Sequence, residues 1–163
     1  MACRAVHFAL TPEDQATLLE NPGSDNEDLL DAIGDIEERW DEDWLIETDK
    51  AWDAIHRCLT GGTLEYGETP LHFAILGKDN LHDGDEYIIS YVSAEDVAAC
   101  AAAIKDIDKT WMREKYDALE GTDYQGVPSD EDFEYTWRNF EELKAFYQKA
   151  AENHRSVVFT VDQ

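Results

Sequence analysis

The runs CRAVHFAL, residues 3–10, and SVVFTV, residues 156–161, constrain this chain more than anything between them. Each reads as a β-strand, and a strand with open backbone groups has to find a partner. In the first run Val6, Phe8 and Leu10 alternate with Cys3, Ala5, His7 and Ala9, so one face is large and apolar and the other is small. A third run, YIISYV at residues 87–92, is apolar on both faces: Tyr87, Ile89 and Tyr91 on one, Ile88 and Val92 on the other. That is the pattern of a strand covered on two sides. The sequence therefore predicts an α+β fold, with a small sheet of about three or more strands that includes both ends of the chain and packs against several helices.

Helix signals fill the intervals. Thr11-Pro12 with Asp14 reads as an N-cap, first turn and capping-box partner for a helix through Leu18 and Leu19 that stops before Asn21-Pro22-Gly23. Ser24 with Glu27 opens a second helix, with Leu29, Ile33, Ile36 and Trp40 at helical spacing and Leu30 beside them. DEDWLIET reads as a short extended segment around Trp44 and Ile46. Asp49 is placed to cap a helix through Leu59 that ends at Gly61-Gly62. Thr69 caps a short helix from Pro70, and Gly77 ends it. Asp83-Gly84 is a turn. Ser93, Asp108 and Ser129 open three more helices, the last a long one carrying Phe133, Trp137, Phe140, Leu143, Tyr147 and Ala150 on one side. No linker or low-complexity stretch divides the chain, so residues 1–163 read as one domain.

Charge narrows the classes of partner. The formal net charge is -25, which repels nucleic-acid phosphates and anionic membranes and leaves a basic partner or simple solubility in salt as the natural readings. A hydrophobic content of 43% with five Trp argues for a packed core despite that charge. Cys3, Cys58 and Cys100 are widely spaced, form no CxxC or zinc pattern, and read as reduced thiols. The N-terminus has no long apolar stretch of a secretory leader and no run approaches the ~20 residues of a membrane span, so the expectation is a soluble cytoplasmic protein.

Thr69-Pro70-Leu71-His72-Phe73-Ala74 matches the opening of an ankyrin repeat. Such a repeat needs neighbours about 33 residues away, and nothing like it stands around Ile36 or Ala102. The segment is a capped short helix that happens to use the same residues. A broader likeness covers most of the chain. DKAWDAIHRCLTG, then PLHFAILG, then YVSAEDVAACAAAI, and finally FYQKAAENHRSVVFTV together resemble the YfbM-like family of small bacterial proteins. The most specific block is Trp52, His56, Leu59, Thr60 and Gly61 with Pro70, Leu71 and Gly77 downstream. The departure is at DEYIISYV, where the family would place a glycine-bearing segment before the strand. The resemblance implies a bacterial α+β domain of unknown function and carries no reaction with it.

Two sets of residues could carry a function. His56 lies on the apolar face of its helix, four residues after Trp52 and four before Thr60. One reading makes Trp52, His56, Thr60 and Gly61 a ligand pocket with His56 as base or anchor. The plainer reading, which we favour, is a neutral core histidine bonded through one ring nitrogen. No catalytic residue is assigned, since there is no nucleophile elbow. Gly61-Gly62-Thr63 is too short for a phosphate loop and no cofactor motif occurs. A metal site drawn from His56, His72 and His82 with Glu65 or Glu68 lacks ligand spacing, and none is expected. The second set is acidic. From Thr11 to Asp49 there are 15 acids and one base, Arg39. Asp28, Asp31, Asp35 and Glu38 present either a solvated helix face or a docking surface for a basic protein. The expected function is a non-enzymatic protein-binding module of accessory or immunity type. The alternative is an enzyme or small-ligand binder at Trp52, His56 and Thr60, and a sealed His56 would favour the former.

Overall fold

In the computed structural model, which describes residues 5–20, 26–82 and 87–162, the two ends of the chain lie side by side. The Ser24 start signal, the Asp83-Gly84 turn and Cys3 fall outside the described residues. Strand β1 (Ala5–Ala9) pairs antiparallel with β5 (Val157–Asp162), Ala5 opposite Val161 and Ala9 opposite Val157. β2 (Leu45–Glu47), β3 (Asp79–Asn80) and β4 (Tyr87–Val92) complete a five-stranded sheet in the order β2-β1-β5-β4-β3, with every neighbouring pair antiparallel. Both chain ends and YIISYV thus hold the inner positions, and the extended segment around Ile46 is an edge strand. The second edge, β3, has only two residues.

Among the described residues six α-helices cover the sheet: α1 (Pro12–Leu19), α2 (Asn26–Arg39), α3 (Ala51–Thr60), α4 (Ala94–Ile104), α5 (Lys109–Asp117) and α6 (Asp130–Glu152). The strand alternation decides which layer each residue joins. The small face of β1, Ala5 and Ala9, joins Val157, Phe159, Val161 and Val92 in a large core with α3, α4, α5 and α6. Its large face, Val6 and Phe8, joins Ile89, Tyr91 and Val158 in a smaller core with Leu18 of α1 and Ile33 and Ile36 of α2. Small side chains face the thick helical layer because α6 brings its own bulk there: Phe140, Leu143 and Tyr147 are buried.

Four of the expected caps form and Asp49 is an exception. Thr11, Ser93, Asp108 and Ser129 accept from the backbone N–H of Asp14, Asp96, Trp111 and Asp132 at 2.8–3.2 Å. Asp49 does not cap α3. Its φ is 46°, Lys50 takes the N-cap position without a side-chain bond, and the Asp49 carboxylate instead accepts from the Tyr135 hydroxyl at 2.7 Å. After the short 3-10 helix Pro70–Phe73 the chain turns at Gly77, whose φ is 65°, and enters β3 rather than a second helix. A Cβ at Gly77 would stand 3.0 Å from that of Ser90, so glycine is needed there for space as well as for backbone.

Candidate functional site

Helix α3 is amphipathic, and its inner stripe carries the first candidate set. Trp52 and His56 are buried, Thr60 is half-buried and Gly61 is exposed. Gly61 ends the helix in the left-handed region, φ 85°, and its N–H returns to the Arg57 carbonyl. The Trp52 ring stands 6.1 Å from that of Phe159 on β5. His56 is fully sealed, with its Nε2 2.9 Å from the Glu65 carbonyl oxygen. A carbonyl only accepts, so Nε2 carries the proton and Nδ1 is left as an acceptor, with no partner among the described residues. The Thr60 hydroxyl lies 2.8 Å from the carbonyls of both His56 and Thr63 and so ties the end of the helix to the loop beyond it.

Burial pushes the His56 pKa down to about 4, the Glu65 carbonyl opposing and the positive fields of His72 and Arg57 assisting. The ring is neutral near pH 7, and its proton points at the main chain. Trp52, His56 and Thr60 share one face of α3 as the spacing predicts, but the imidazole faces the interior rather than solvent. Cys58 and Cys100 are buried too, and desolvation raises both thiols to about 12. Thiolate chemistry needs the opposite shift. Among the described residues no three His, Cys, Asp or Glu side chains converge as a metal site, and no helix is long and apolar enough to cross a membrane.

A second buried histidine was not singled out by sequence. His7 is sealed between β1 and α6, its Nε2 2.8 Å from the Ala74 carbonyl oxygen, with its ring 4.7 Å from that of Phe159. Tyr147 donates to the same region, 3.1 Å from the Ala74 oxygen. Burial lowers His7 to about 4, with the Ala74 carbonyl opposing. The signal was present in the alternation of β1, which places residue 7 on the face shared with Ala5 and Ala9.

The acidic set sits on α2. Asp28, Asp31, Asp35 and Glu38 are all exposed, and their spacing of three, four and three residues lays them along one stripe. Glu37 turns the other way, accepting from the Tyr87 hydroxyl at 2.5 Å and from Thr160 at 3.3 Å. Arg39 is bound to Asp14 of α1 at 2.7 Å. Between the two helices runs a shallow cleft of about 370 Å³, with Glu20, Asp28, Asp31 and Asp35 along its rim and Leu18 and Leu29 within it. The exposed Leu19 and Leu30 flank these residues in sequence.

The same fold occurs in a crystal structure of YfbM from Escherichia coli, a protein of unknown function, with a TM-score of 0.73, 21% sequence identity and 99% of each chain covered. No curated protein matches the sequence. The family model described as a domain of unknown function, DUF1877, matches residues 1–160, and the chain belongs to that family.

Proposed function

We propose that this protein is a binding module without catalysis of its own, and that it engages a basic protein through the exposed face of α2. The observation that carries the reading is the arrangement of that helix. Its inward stripe is satisfied by Ile33 and Ile36, while Asp28, Asp31, Asp35 and Glu38 stand outward beside a cleft with an apolar floor. The one base of that stretch is held by Asp14, so it neutralises little of the stripe. A surface of one sign steers an oppositely charged partner and speeds encounter. The sealed, neutral His56 and the raised thiols support the non-enzymatic side of the reading, because neither offers a base or nucleophile to a substrate in solution.

The test is affinity capture from lysate of the source cell at low and at physiological salt, with the wild type beside a D28N/D31N/D35N/E38Q variant. The expected result is a basic protein in stoichiometric amount on the wild type, weakened by salt and absent from the variant. Equal recovery on the variant would move the contact elsewhere, and recovery indifferent to salt would remove steering from the account.

A further inference from the structure

Thirteen Lys and Arg side chains stand against thirty-eight acids in this chain, yet among the described residues only Arg39, Arg57, Lys78, Lys109 and Arg113 make ion pairs. Two of the other cations share one indole. The Arg155 guanidinium carbon lies 3.4 Å from the centroid of the Trp44 ring, and the Lys149 ammonium lies 4.3 Å from it. Neither makes an ion pair among the described residues. Among the described residues the Arg155 guanidinium hydrogen-bonds only to the Ala9 carbonyl, at 3.5 Å, and Lys149 donates to the carbonyl of Asp43.

Arg155 lines a cleft of about 500 Å³ where the ends of β1 and α2, the segment before β2 and the start of β5 meet. Phe8, Ile36, Trp40 and Trp44 supply its apolar walls. The other cation in it, Arg39, is neutralised by Asp14. Two residues at this junction hold left-handed backbone, Trp40 at φ 42° and His154 at φ 54°. His154 ends α6. Its N–H meets the Ala151 carbonyl at 3.1 Å and the Arg155 N–H meets that of Ala150 at 2.9 Å, the bond pair of a Schellman end where glycine is the usual occupant. That turn directs Arg155 toward Trp44.

We propose that this cleft binds a small monocarboxylate with a ring-sized apolar body. Stacking on Trp44 occupies the face of the guanidinium and leaves its edge N–H groups to make a forked pair with a carboxylate. The body of the ligand lies against Phe8 and Trp40. Asp14, Asp41 and Glu42 also border the cleft and oppose any anion, a dianion such as a phosphate monoester more than a single carboxylate. The proposal does not depend on the acidic face of α2 as a docking surface.

The probe is phenylacetate, titrated into the ¹⁵N-labelled full chain while the Trp indole N–H signals are followed by NMR, with phenethyl alcohol and phenyl phosphate as comparisons. Saturable shifts of the Trp40 and Trp44 signals are expected at millimolar phenylacetate. Binding should weaken about tenfold or more for phenethyl alcohol and for R155Q, as loss of a charge-assisted hydrogen-bond pair implies. R155K keeps the charge and loses the fork, and should bind several-fold less tightly without a change in melting, so the test survives if R155Q folds poorly. No saturable shift, equal affinity for the alcohol, tighter binding of phenyl phosphate, or an R155K affinity equal to that of the wild type would each overturn the proposal.

Discussion

His7 and His56 are alike in every feature that matters for their chemistry. Each is sealed, each has Nε2 within hydrogen-bond distance of a main-chain carbonyl, and each leaves Nδ1 without a partner among the described residues. Their pKa values of about 4 lie below the 6.5 of a solvated imidazole, so the unfolded chain binds the extra protons first on acidification. Stability is therefore complete above about pH 6.5 and falls as the pH drops toward 4. The slope is about 1.4 kcal/mol per pH unit for each ring. His56→Gln, which can still donate to the Glu65 carbonyl, should flatten that slope by one ring's share in urea melts taken across the window. An unchanged slope would mean that His56 is protonated in the native state. The inward position of His56 was legible because helical spacing puts it in line with Trp52 and Leu59. Its partner was not, since Glu65 belongs to a loop whose path depends on the rest of the fold. Arg155 and Trp44 meet across the whole chain, and no local pattern announces such a contact.

Among the elements, the helix starts were the most legible part of the molecule, because a cap is a local bond between a side chain and a backbone N–H two or three residues on. The longest helix, α6, depends on Ser129 for its first turn, with Asp130, Glu131 and Asp132 also favouring its N-terminus. Ser129→Ala should cost about 1 kcal/mol, seen as a fall of about 2–4 °C in the melting temperature. A melt identical to that of the wild type would show that the three acids alone suffice. Asp49 failed as a cap for a tertiary reason: the Tyr135 hydroxyl on α6 takes its carboxylate, and α3 begins without a side-chain bond. β3 escaped notice because Asp79 and Asn80 are both exposed and polar, so no alternation marks them. It is held by main-chain bonds around it, Lys78 N–H to the Tyr91 carbonyl at 3.2 Å and Leu81 N–H to that of Ile89 at 2.8 Å.

At the scale of the molecule, a net charge of -25 acts on every element at once. Like charges at this density oppose the compact state, and salt relieves them. Raising the ionic strength from about 0.01 M to 0.15 M shortens the screening length from about 30 Å to 8 Å, and the melting temperature should rise by several degrees. A flat or falling melting temperature would show that ion pairs such as Arg57 with Asp53 and Asp123 outweigh the repulsion. The α+β class was legible at this scale from three apolar runs alone. The division into two cores was not, because the alternation of β1 shows two faces without showing which helices cover them.

The position of β5 between β1 and β4 has a consequence for how the protein comes into being. A ribosome makes the chain in order, and β1 must wait for residues 157–162 before it acquires its inner neighbour. Until then β1 with β2, and β4 with β3, are two separate ribbons, each with an edge exposed to any other strand nearby. The sheet closes only once residues 157–162 have been made, and the chain before that point is the form more open to mispairing.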